Sequence, residues 1–124
     1  QLPMGMHTPL GKLDPEGVDL SGGQWQLLAI ARGLINDARI YVLDEPTASI
    51  DPIKEAEIYR IFKQALQNKF AFLITHRLGG ARIADEIIVL KDGKVVEQGT
   101  HEELLRQSGK YHEMYQEQKS WYEK

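Results

Sequence analysis

Two short, unbroken apolar runs constrain this chain most: Ile40-Tyr41-Val42-Leu43 and Phe70-Ala71-Phe72-Leu73-Ile74. A strand with one face in water alternates apolar and polar residues, and neither run does. Both are therefore expected to be strands covered on two faces, as in a parallel sheet. The segment between them carries a helix. Asp51-Pro52 pairs an N-cap acid with proline at the first helical position, and Ile58, Phe62, Ala65 and Leu66 form an apolar stripe at helical spacing. Strand, helix, strand is the working unit of an α/β fold.

The flanking segments extend that pattern. Pro3, Gly5, Pro9, Gly11, Pro15 and Gly17 mark residues 1–19 as an irregular lead-in. Ser21 and Gln24 have the spacing of a capping box, and the apolar residues between Trp25 and Ile35 fall on more than one face, so this helix is expected to be largely buried. Asn36-Asp37 ends it. After Thr75-His76, a short helix is expected at Gly80–Ala84 and a third strand at Ile87–Leu90. Asp92-Gly93 is a two-residue hairpin turn that returns Lys94–Gln98 antiparallel. Thr100 and Glu103 form a second capping box, opening a helix that should stop near Gly109. Tyr111, Met114, Tyr115, Gln118 and Tyr122 share the face of a last helix. The fold class is α/β with mainly parallel strands, a C-terminal hairpin at the antiparallel edge, and flanking helices.

Composition narrows the function classes. With 42% hydrophobic and 27% charged residues in 124, the chain has the make-up of one globular unit. A net charge of −3 gives no basic footprint, so no nucleic-acid partner is expected. The absence of cysteine excludes disulfides and thiolate metal sites, and no run approaches the roughly 18 apolar residues of a membrane-spanning helix. The chain opens at Gln1 rather than methionine and reads as a piece of something longer.

Three places carry chemistry. Asp44-Glu45 follows the first apolar run, and ligands in open α/β sheets gather at the carboxyl ends of strands. An apolar strand ending in Asp suits Mg²⁺, held directly or through water. The next carboxylate, Glu45, should face the opposite way along the strand and so could polarise an attacking water. Leu20-Ser21-Gly22-Gly23-Gln24 opens a helix whose first-turn N–H groups suit a phosphate, its glycines leaving room for close approach. Ser21 can cap its own helix or donate to a phosphate oxygen. His76 ends the second strand, where Nε2 could reach a terminal phosphate. Taken singly, each has a plain structural alternative: a polar turn, an ordinary N-cap, a hydrogen-bonding histidine.

Together, Leu20–Gln24, Ile40–Glu45, Ala48-Ser49-Ile50-Asp51 and Ile74-Thr75-His76-Arg77 resemble, in order and approximate spacing, the signature, Walker B, D-loop and H-loop of ATP-binding cassette (ABC) nucleotide-binding domains. The stretch from Ile87 to Leu105 resembles the C-terminal part of multidrug or peptide exporters. The resemblance implies a partial P-loop NTPase-like domain, with residues 1–38 ending its helical subdomain and 39–124 belonging to the catalytic core and C-terminal helices. It implies that Asp44 helps hold Mg²⁺, that Glu45 is the general base or water-positioner, and that His76 contacts the γ-phosphate. Ser21, Gly22, Gly23 and Gln24 would bind ATP held by a partner subunit, while Ser49 and Asp51 would link the two sites across the dimer. The implied cofactors are ATP and Mg²⁺, and the implied partners are a second nucleotide-binding domain and an exporter's transmembrane domain. The implied setting is the cytoplasmic face of the cell membrane, this piece itself being soluble.

Leu27 departs from the arginine common in the family. The Walker A loop with its lysine, the stacking aromatic before it and the Q-loop glutamine do not occur in these 124 residues. This chain alone is therefore expected to bind ATP very weakly and not to turn it over. Two alternatives accompany the exporter reading: a soluble ABC-type ATPase acting on DNA or ribosomes, and an inactive interaction fragment.

Overall fold

The computed structural model describes residues 2–122, apart from the side chains of Pro52, Ile53 and residues 120–122. A single 3₁₀ turn, Gly5–His7, and an isolated bridge between Leu10 and Val18 punctuate the otherwise irregular lead-in. Then follow α1 (Gly22–Ile35), β1 (Ile40–Asp44), α2 (Pro52–Ala65), β2 (Phe70–Ile74), α3 (Leu78–Ala81), β3 (Ile87–Lys91), β4 (Lys94–Gly99), α4 (His101–Gln107) and α5 (Lys110–Tyr122).

Strands β1 and β2 pair in parallel, with Ile40 beside Phe70 and Asp44 beside Ile74. The hairpin β3–β4 forms a second sheet of its own. The sequence expectation of an antiparallel edge on one sheet is therefore corrected. The turn itself is as expected: Asp92 (φ 51°) and Gly93 (φ 72°) are both left-handed, the type I′ geometry that matches strand twist.

The expectation that both apolar runs are covered on two faces also fails. On one face of the ribbon Ile40, Val42, Phe70, Phe72 and Ile74 are each more than half exposed. On the other, Tyr41 is buried and Leu43 and Leu73 are half-buried. The described residues supply a layer to one side only, and two strands cannot cover themselves. The expectation of a largely buried α1 is corrected too: no residue in it is buried. In α2 the buried face is rotated from the expected stripe. Glu55, Tyr59 and Phe62 are buried, Leu66 and Ile58 half-buried, and Ala65 exposed.

The main core lies between α3, the hairpin, α4 and α5, where Leu78, Val89, Leu104 and Tyr111 are buried and Met114 and Tyr115 pack against them. Tyr122, expected on the same face, lies outside the described side chains. Thr100 and Glu103 form the expected capping box of α4, and Ser108 ends that helix in the left-handed region. Glu97 on β4 then caps α5, its carboxylate accepting from the backbone N–H of Lys110 and, at 2.9 Å, of Tyr111. Helix α3 begins two residues earlier than expected. It sits so close to α2 that a Cβ on Gly80 would lie 2.4 Å from the Tyr59 ring.

Candidate functional site

Strand β1 ends at Asp44, whose exposed carboxylate stands at the carboxyl end of the parallel pair. Glu45 leaves the strand with φ 45°, a left-handed conformation uncommon for a residue with a side chain. Its N–H still donates to the Ile74 carbonyl (2.9 Å). Strand alternation does not set the direction of Glu45: the strand stops one residue earlier, and the left-handed backbone sets it instead. The carboxylate turns over the end of β2. Oε1 accepts from the His76 N–H at 3.1 Å and lies 2.7 Å from its Nδ1, and the Thr75 hydroxyl reaches Oε2 at 3.5 Å. With Nδ1–H donating to this carboxylate, Nε2 is left for a ligand, on an imidazole 69% exposed. Glu45 and His76, thirty-one residues apart, are thus one unit.

Ser21 is the N-cap of α1. Its hydroxyl accepts from the Gln24 N–H (3.3 Å), and the Gln24 side chain accepts from the Ser21 N–H (2.8 Å). The capping bond uses an oxygen lone pair and leaves the Ser21 O–H proton available to an acceptor. All of Ser21, Gly22 and Gln24 are exposed. The two glycines differ. A Cβ on Gly22 would make ordinary contact with Ser49, 3.9 Å away, whereas one on Gly23 would lie 2.8 Å from the Ser49 carbonyl oxygen. Packing therefore requires a glycine at 23, whereas position 22 has room for a Cβ. The structure brings this turn against Ser49, which is exposed, as is Asp51.

Two residues without an assigned role in the sequence reading organise the loop between β1 and α2. The Gln26 side chain donates to the Glu45 carbonyl (2.9 Å) and accepts from the Ser49 N–H (2.8 Å), tying the loop to α1 at both ends. Arg77 holds it from the other side, donating to the carbonyls of Ala48 (3.0 Å) and Ile50 (3.1 Å) and to the Glu55 carboxylate (3.2 Å). Glu55 is buried and also accepts from the Thr47 hydroxyl at 3.0 Å; that hydroxyl oxygen lies 2.9 Å from the Tyr59 hydroxyl. Burial, with the nearby Glu55 charge adding to it, pushes the Tyr59 phenol above its ordinary pKa. Helical spacing of Glu55 with Tyr59 and Phe62 was the one signal that could have placed this carboxylate inside.

Among the described residues no group of three His, Cys, Asp or Glu side chains could hold a metal unaided. Asp44 fits Mg²⁺ in a different sense. That ion is commonly held by one or two carboxylates together with substrate phosphates and waters, and one exposed carboxylate at a strand end meets the protein's part of that.

A family model described as ABC transporter matches residues 5–48. The chain is 46% identical over 110 residues to a nisin transport ATP-binding protein of Lactococcus lactis subsp. lactis, covering 89% of this chain and 18% of the relative. It is 44% identical over 115 residues to an ATP-dependent lipid A-core flippase of Desulfotalea psychrophila, covering 93% of this chain and 20% of that protein. Among solved structures, a bacterial Atm1-family ABC exporter with ATP bound superposes with a TM-score of 0.75 at 37% identity, over 80% of this chain and 18% of that one. The chain thus spans about a fifth of the length of these relatives.

Proposed function

Because this chain belongs to the ATP-binding cassette family, as part of an exporter-type ATP-binding domain, we propose that its parent hydrolyses ATP to drive substrate across a membrane. The observation that carries the proposal is the contact between Glu45 and His76 at the ends of adjacent parallel strands. A carboxylate and an imidazole at that position can hold an attacking water and a terminal phosphate oxygen side by side.

In this reading Glu45 orients the water and accepts its proton, and Nε2 of His76 faces the γ-phosphate. Asp44 holds the Mg²⁺ ion, which when bound neutralises charge on the phosphate oxygens. Ser21, Gly22, Gly23 and Gln24 present a helix N-terminus to the nucleotide of a second such domain, with Ser49 and Asp51 between the two sites. Residues 1–38 complete a helical subdomain and 39–124 belong to the catalytic core. The partners are a second ATP-binding domain and a transmembrane domain, at the cytoplasmic face. The exporter names of the relatives favour this over a soluble ATPase acting on DNA or ribosomes. No helix among the described residues is long and apolar enough to cross a membrane.

Glu45→Gln in the full-length parent should leave ATP binding in place and abolish turnover; unchanged turnover removes the assigned role. The isolated chain, without a phosphate-cradling loop, should bind ATP very weakly and hydrolyse none. Micromolar affinity in a calorimetric titration would contradict that.

A further inference from the structure

Beyond β2 the chain from His76 to Leu78 is extended but has no strand beside it among the described residues, Arg77 having φ −92° and ψ 111°. Its backbone groups still have partners, in an exposed to half-buried setting where water can replace a lost one. One side chain supplies both. Gln118 of α5 donates from Nε2 to the His76 carbonyl (2.5 Å) and accepts through Oε1 from the Leu78 N–H (2.9 Å). Those two groups flank Arg77 in the pattern by which a parallel neighbour bridges a residue. The amide of Gln118 therefore stands in for a missing strand.

We propose that Gln118 is a positioning residue for His76, through which the C-terminal helix sets the place of the imidazole in the hydrolytic site. The inference rests on the reading of His76 as the γ-phosphate contact. Helix α5 is suited to the task because it is anchored independently. The Glu97 carboxylate caps its first turn, and Tyr111 is buried in the main core with its hydroxyl 2.8 Å from Nδ1 of His101. The clamp reaches across forty-two residues. On the opposite side Arg77 grips the loop that carries Glu45, so His76 is held between the two fixings.

The test uses the full-length transporter. Gln118→Leu removes both bonds; Gln118→Glu keeps the acceptor for Leu78 but opposes a carboxylate to the His76 carbonyl. Both should retain the wild-type thermal midpoint within a few degrees and the KM for ATP within about twofold. Their kcat should fall about tenfold, since displacement of a catalytic group by about 1 Å can lower rates up to a hundredfold. His76→Ala is assayed in parallel. Wild-type kcat in both Gln118 variants, with His76→Ala impaired, overturns the inference and leaves the reading of His76 standing. A joint fall of thermal midpoint, kcat and ATP affinity in both variants also overturns it, by reducing Gln118 to a scaffold contact. Full turnover in His76→Ala removes the reading of His76 and the inference with it.

Discussion

Arg77→Met should destabilise the domain far more than a surface arginine would. The guanidinium gives up three hydrogen bonds, to Ala48, Ile50 and Glu55, at 3.0 to 3.2 Å. The exposed Ala48 carbonyl can turn to water, so that loss is small. Glu55 cannot, because its side chain is 4% exposed and would keep only the Thr47 hydroxyl. Breaking a buried ion pair from one side costs about 3–5 kcal/mol. The Arg77 side chain is 22% exposed and some water can follow its removal, so about 3 kcal/mol is expected. Removing both charges should hurt less: Glu55→Gln in the Arg77→Met background leaves a neutral amide beside the Thr47 hydroxyl, recovering about 1–2 kcal/mol. Denaturant unfolding of the complete ATP-binding domain in wild type, both single variants and the double variant measures the coupling. A loss below about 1 kcal/mol for Arg77→Met, or strict additivity in the cycle, would show that the pair is not held as a buried unit.

Other expectations follow from the same contacts. Gly23→Ala should lower stability by about 1–3 kcal/mol through collision with the Ser49 carbonyl, whereas Gly22→Ala should keep stability and lower ATP turnover of the parent; thermal unfolding with an ATPase assay separates them, and equal unfolding loss in both contradicts the assignment. Gly80→Ala should destabilise by a similar amount, about 1–3 kcal/mol, because its Cβ would enter the Tyr59 ring; an unchanged melting curve would disprove that contact. Burial pushes the Tyr111 phenol up to about 12, above the value near 10 of an unfolded tyrosine. The folded state therefore keeps a proton that the unfolded chain releases, and stability is whole below about pH 10 and declines from there toward pH 12. Tyr111→Phe should flatten part of that decline in pH-dependent unfolding; an identical slope would remove the phenol as its cause.

The capping boxes at Ser21 and Thr100 and the left-handed Asp92-Gly93 turn were legible because each is a contest between a side chain and backbone groups at most three residues away. The order of strands and helices was legible for the same reason, and so was Asp44 as a residue at a strand end, whereas β2 stops at Ile74, two residues short of His76. Burial was not. Val42 and Phe72 look like interior residues and face solvent, while Glu55 looks like a surface residue and is buried. Apolarity states what a residue prefers; which layer covers it depends on segments far away or outside the chain.

The arrangement of the site belongs to tertiary structure. Local chemistry dictates that helices begin at Ser21 and Thr100 and that a carboxylate follows an apolar strand at Asp44. It cannot dictate that Glu45 turns onto His76, that Gln26 and Arg77 hold the intervening loop from two sides, or that Gln118 replaces a strand beside Arg77. Those contacts join residues nineteen to forty-two positions apart. A hydrogen bond is short and directional, so such partners meet only after packing has brought their elements together.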